Sequence, residues 1–155
     1  MRIFSRLLLA ALAGALASSG CSRGPEFVPV SGKVVMNGKA LGNVKVEFHP
    51  DPDAKTTGPS STATTDAEGN FTLACPSNGN EAGAVAGNHR VILSDLDVYG
   101  TVFVGRGDYR SEDAKGPKEV PKIPRVPAQY SDLSRTPLKL EVKAGVSPVT
   151  LEVKK

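Results

Sequence analysis

Cys21 is the side chain best placed for chemistry in this sequence. Two small residues, Ser19 and Gly20, precede it at the end of an apolar run, a setting in which its thiol can take a diacylglyceryl group. Cys75, the only other cysteine, offers a competing fate, because two thiols in an exported chain permit one disulfide. His49 and His89 are the only imidazoles. Alternation puts His49 on the polar face of a strand that ends at Pro50, where it reads as a solvated residue. His89 shares parity with Val91 and Leu93, which puts it at the rim of the core as a packed, hydrogen-bonded ring.

Metal binding needs several convergent ligands, and no short histidine or cysteine spacing is present. Asp66, Glu68 and Asn70 suggest a calcium loop only superficially. Phe71 stands where such a loop needs glycine, and Ser77 where it needs a bidentate glutamate. Ser60 and Ser61 carry no nucleophile-elbow motif and no assigned base. Arg106-Gly107-Asp108 matches an integrin-binding tripeptide by its letters alone. No cofactor is expected.

The segment before Cys21 explains why a cysteine stands there. The eleven-residue apolar run Leu7 to Ala17 follows Arg2 and Arg6, the pattern of an export signal. A membrane-spanning helix needs roughly 20 apolar residues, about twice this number. Two processing sites compete. Cleavage before Cys21 would yield a lipid-anchored protein, and the segment resembles a lipobox, with Ser18 in the place usually held by leucine. Cleavage after Ala15-Leu16-Ala17 would leave a soluble exported chain that begins at Ser18. The lipidated form is the preferred expectation, with residues 1–20 as the signal, 21–27 as a short tether and Cys21 as the attachment residue. Acyl chains contribute about 0.8 kcal/mol per buried methylene, so two or three of them anchor a protein stably. Six extended residues reach roughly 20 Å, which would keep the folded part close to the lipid.

Composition narrows the partners. Arg2 and Arg6 leave with the signal, so 17 basic residues face 16 acidic ones, a net charge of +1. No basic stripe with interleaved aromatics is present, so nucleic acid is not an expected partner. The chain has no tryptophan, while 16 glycines and 12 prolines favour turns over helices.

From Val28 onward the apolar period is two, as in half-buried strands. Val30, Gly32 and Val34 share a face, and the strand runs into Asn37-Gly38, the strongest short hairpin signal. Val44, Val46 and Phe48 alternate with Lys45, Glu47 and His49. Phe71, Leu73 and Cys75 follow a turn in which Asp66 can cap its own backbone and Gly69 can adopt positive φ. Gly32, inside a strand, marks a close backbone approach or a bulge. Seven strands are expected near 28–36, 40–49, 61–65, 70–75, 88–95, 137–143 and 148–154. An insertion at 95–137 interrupts them. Val98 to Val104 could add an edge strand there, whereas Arg106 to Pro127, with prolines at 117, 121, 124 and 127, reads as loosely packed or disordered.

The segments Val30-Ser-Gly-Lys-Val34, Asn37-Gly38-Lys39-Ala40-Leu41, Val44-Lys-Val46-Glu-Phe48-His-Pro50, Thr65-Asp66-Ala-Glu-Gly69-Asn-Phe71-Thr-Leu73 and Gly83-Ala-Val85-Ala-Gly87-Asn-His89-Arg-Val91 together resemble a known type. Ile123-Pro124 and Pro127-Ala-Gln-Tyr130 before the closing strands are similar too. They look like the transthyretin-like or carboxypeptidase-regulatory-like domains of small lipoproteins in planctomycete-type bacteria. The resemblance covers about 28–155 apart from the insertion. It implies an all-β, seven-stranded antiparallel Greek-key sandwich, and it implies little about function.

Two enzyme types on similar sandwiches supply contrasts. Hydroxyisourate hydrolases end in Tyr-Arg-Gly-Ser, whereas this chain ends Leu151-Glu-Val-Lys-Lys155. Intradiol dioxygenases hold iron with two Tyr and two His. Here Tyr99, Tyr109, Tyr130, His49 and His89 are too dispersed along the chain for preorganised coordination. The expectation is therefore a non-enzymatic envelope protein, held at a membrane through its N-terminal lipid on the periplasmic or outer-surface side, with a structural or interaction role. The alternative is a module for glycan or another envelope polymer, using the 95–137 insertion and its tyrosines.

Overall fold

The computed structural model describes residues 25–102 and 118–154. Cys21, Tyr109, the Arg106-Gly107-Asp108 tripeptide and the signal segment lie outside them. The described chain is all-β, with fourteen strand segments and three single-turn 3-10 helices.

One sheet has six strands in the order β13–β10–β4–β5–β7–β8. These are β4 (Val44–Pro50), β5 (Ser61–Thr64), β7 (Ala74–Cys75), β8 (Glu81–Ala82), β10 (Gly87–Asp95) and β13 (Lys139–Val142). A second sheet joins β14 (Val149–Val153), β2 (Ser31–Met36) and β3 (Lys39–Ala40), with β6 (Asn70–Thr72) also on β2. Two short ribbons complete the set: β1 (Phe27–Val28) with β9 (Ala84–Val85), and β11 (Tyr99–Val102) with β12 (Lys118–Pro121).

The two main sheets share one core because each offers it an alternating apolar face. Val44, Val46, Phe48, Val91, Leu93 and Val142 come from the first, and Val34, Phe71, Val149, Leu151 and Val153 from the second. Phe48 and Phe71 meet across the interface with ring centroids 6.4 Å apart. Lys45, Glu47, Arg90 and Ile92 lie on the opposite, half-buried face of the six-stranded sheet, as period-two placement requires.

The all-β expectation holds, but the expected strand 28–36 divides into β1, paired with β9, and β2, paired with β14, β3 and β6, and four further corrections apply. The Asn37-Gly38 hairpin is present, with φ of 51° and 76°, but its return strand is only β3. At Leu41 to Asn43 the chain crosses to the other sheet, so 40–49 is not one strand. Residues 70–75 likewise divide, β6 pairing with β2 and β7 with β5. Leu73 makes the crossing, its N–H donating to Val30 O at 2.9 Å while its carbonyl accepts from Gly83 N at 2.8 Å.

The third correction is to the antiparallel expectation, since β14 runs parallel to β2, Val149 facing Gly32 and Val153 facing Met36. Alternation cannot reveal this, because a strand presents the same faces whichever way its neighbour runs. A Cβ on Gly32 would lie 2.2 Å from Val149 O, so the close backbone approach read from the sequence is real.

The fourth concerns the insertion. Tyr99–Val102 pairs with Lys118–Pro121 in a separate ribbon instead of extending a sheet. Residues 122–137 pack against the body, with Val126, Tyr130 and Thr136 buried. Their polar groups are satisfied locally: Thr136 Oγ1 donates to Val91 O at 2.6 Å, and Ser131 Oγ to Leu93 O at 2.9 Å. Proline density limits ladder bonds, but it does not prevent side chains from filling a core.

Candidate functional site

Strand β10 gives the molecule two distinguishable ends. At its Gly87 end the described N-terminal stretch Pro25–Glu26, part of the expected tether, joins the body, Ala86 N–H donating to Glu26 O at 2.8 Å. At its Asp95 end the insertion begins. Eight residue steps at about 3.3 Å each separate the two by about 26 Å.

The tether end is polar. Asp51 caps the 3-10 turn Pro52–Ala54, accepting from Asp53 N–H at 3.2 Å, and its carboxylate pairs with Arg90 Nη2 at 3.0 Å. Arg90 also reaches Asp53. The Arg90 bond is the main reason the Asp51 carboxyl lies below the ordinary aspartate range. Lys55 follows at φ 60°. Next to this turn is an open cavity of about 680 Å³ between Pro25–Glu26, the loop 54–58 and residues 85–88.

Ser60 Oγ lies 2.8 Å from His49 Nδ1, a bond whose direction depends on the imidazole tautomer. This pairing is not legible in the sequence, where nothing assigns a base to Ser60. The register explains the meeting: Phe48 faces Ser61, which puts His49 beside Ser60 across β4 and β5. His49 Nε2 is buried and meets no hydrogen-bonding partner. The ring therefore has no third group to orient it, as a base serving a nucleophile requires.

His89 lies deeper than a rim, at 1% exposure, with Nδ1 3.1 Å from Gly87 O and its ring 5.9 Å from Phe48. Burial pushes its pKa below the ordinary histidine value, partly offset by the Gly87 carbonyl. Cys75 is a buried free thiol at 0% exposure, 3.5 Å from Ser77 Oγ, and packs as a small apolar group.

The Asp66 carboxylate closes its own turn, accepting from Asn70 N at 2.7 Å and Asn70 Nδ2 at 3.0 Å. Among the described residues no group of three or more His, Cys, Asp or Glu side chains is arranged to hold a metal ion.

The far end is built on a buried ion pair. Asp95, with its side chain 1% exposed, accepts from Arg125 N at 2.7 Å and Nε at 3.0 Å, while Arg125 Nη2 also reaches Gly42 O at 3.0 Å. Burial alone would raise the Asp95 carboxyl, but the bonds from Arg125 and from Asp97 N–H outweigh it and lower the pKa. Lys122 repeats the link on the ribbon, its Nζ 2.9 Å from Asp97. The exposed large apolar side chains of the described residues are Leu96, beside Asp95 in the chain, Ile123, two positions before Arg125 and 91% exposed, and Leu133.

Tyr130 is not available as an aromatic platform. It is 3% exposed, and its hydroxyl donates to Lys154 O at 3.2 Å while accepting from Lys154 N at 2.9 Å. The Tyr99 side chain and all of Tyr109 fall outside what the structure describes. No helix among the described residues is long and apolar enough to cross a membrane. No family model matches the chain, and neither a curated protein nor a solved structure shows significant similarity to it.

Proposed function

We propose that this chain is a non-enzymatic interaction module of the cell envelope, exported, lipidated at Cys21 and carried on a transthyretin-like Greek-key sandwich. The observation that supports it best is the placement of tether and insertion at opposite ends of β10, about 26 Å apart. A domain moored by residues 21–27 would stand with Gly87 toward the lipid and hold the β11–β12 ribbon away from it. Leu96, Ile123 and Leu133 would then face outward as a contact surface for another envelope component.

Mass spectrometry of the processed protein tests the anchor. The expected product begins at an acylated Cys21, and Cys21→Ala should leave the detergent fraction. An unmodified chain beginning at Ser18 would rule the anchor out.

A further inference from the structure

We propose that the cavity beside the tether binds the phosphoethanolamine group of a membrane phospholipid. The identity of the source rests on the lipid-anchored reading above, whereas the chemistry of the site does not.

The cavity, about 680 Å³, falls within the range of small-ligand sites. Its three walls are fastened to one another. Ala86 N–H donates to Glu26 O, Asn88 N–H to Thr56 Oγ1 at 2.9 Å, and Asp51 N–H to Asn88 O at 2.9 Å. Gly87 lets two walls touch, since a Cβ there would lie 2.6 Å from the Thr56 side chain.

Two exposed residues of opposite sign, Glu26 and Lys55, belong to the lining. Neither is in a salt bridge with another described residue. Lys55 is held at positive φ by its N–H bond to Pro52 O at 2.9 Å; the other non-glycine residues described at positive φ are all asparagines. Such a backbone is uncommon for lysine, and it persists where the surrounding bonds impose it.

An acidic and a basic residue in the lining of one cavity suit a zwitterion better than a simple anion, which Glu26 would repel. Phosphoethanolamine offers a phosphate for Lys55 and an N–H donor for Glu26, whereas a choline group has no N–H to give. Glu26 is five residues beyond Cys21, a reach of at most about 17 Å, so an acylated Cys21 would keep the cavity within that distance of the lipid surface.

The test is a titration of the processed protein with glycerophosphoethanolamine, read from the amide NMR shifts of Thr56 to Gly58 and Ala86 to Asn88. Lys55→Gln and Glu26→Gln should each weaken binding about threefold to fivefold, the effect of one exposed ion pair. Absence of shifts overturns the proposal, as does tighter binding by Glu26→Gln, which would mark an anion site. Hydrogen exchange of the anchored protein in phosphatidylethanolamine against phosphatidylcholine vesicles tests the source. Protection of the same amides in the first alone supports the bilayer, and equal exchange in both overturns it. An unmodified Cys21 with a positive titration would remove the anchor and keep the site, while an acylated Cys21 with a flat titration would do the reverse.

Discussion

An imidazole that faces the Gly87 carbonyl with Nδ1 and buries Nε2 without a partner has no place for the charge of a second proton. The unfolded chain protonates His89 near pH 6.5, and the folded chain does so only at lower pH. Its contribution is therefore complete above pH 6.5 and is lost as the pH falls toward the folded value, by up to about 1.4 kcal/mol per pH unit for one proton. Asp51, Asp66, Asp95 and Asp132 have lowered pKa values, so their contributions are lost only at more acid pH, below about 3.8. Urea midpoints between pH 7 and 5 should fall for the native protein and stay level for His89→Leu. A level native profile would contradict this account. Gly32 gives a second test at the same scale. Gly32→Ala would drive a methyl into Val149 O and cost about 1–3 kcal/mol as overpacking, read as a lower thermal midpoint. Parity alone located His89, Gly32 and Cys75 on the inner face. It could not locate Tyr130, because Pro127-Ala-Gln-Tyr130 has no strand period to read, and the Lys154 backbone that satisfies its hydroxyl is 24 positions away.

At the scale of elements, alternation reports which face is buried and is silent on which sheet a strand joins. Met36 to Val44 shows the difference. The Asn37-Gly38 turn and both flanking strands were legible, but the crossing at Leu41 to Asn43 was not, since apolar parity resumes unchanged on the far side. It is held by bonds that span sequence distance: Asn43 N–H to Thr65 O, and Thr65 Oγ1 to Leu41 O at 2.9 Å. The Asp95–Arg125 pair is equally silent in sequence, its partners lying 30 residues apart. This pair sets the root of the ribbon. Arg125→Met would leave the Asp95 carboxylate buried with little beyond backbone N–H donors. A fully buried broken pair costs about 3–5 kcal/mol. With the Arg125 side chain 34% exposed, roughly 2–3 kcal/mol is expected here. Hydrogen exchange should localise the loss to amides of 99–102 and 118–126, with β4 and the middle of β10 retaining protection. Uniform loss across the six-stranded sheet would show that the pair supports the core instead of the ribbon.

For the whole molecule, the question is how much of the 95–137 insertion the sandwich needs. The core takes Val126 and Tyr130 from it, and Thr136 bonds β10, so the segment divides into a structural part and a projecting part. The boundary falls where Lys122 N–H meets Val98 O at 2.7 Å, a closed neck across which a short turn could join the two flanks. Replacing 99–121 by such a turn should leave the thermal midpoint within a few degrees of the native value, because β11 and β12 pair with each other in a two-stranded sheet of their own and the Val98–Lys122 neck stays closed. Extending the deletion through Tyr130 should unfold the domain, since it removes two core side chains and the cation that pairs with Asp95. If the ribbon carries the interaction, the shorter deletion keeps the protein in the membrane fraction and abolishes its co-purification with envelope components from detergent extracts. Unchanged co-purification would move the contact surface to the Gly87 end, where the cavity lined by Glu26 and Lys55 would face the lipid under the proposed anchoring, and the molecule would then act on the membrane proposed to hold it.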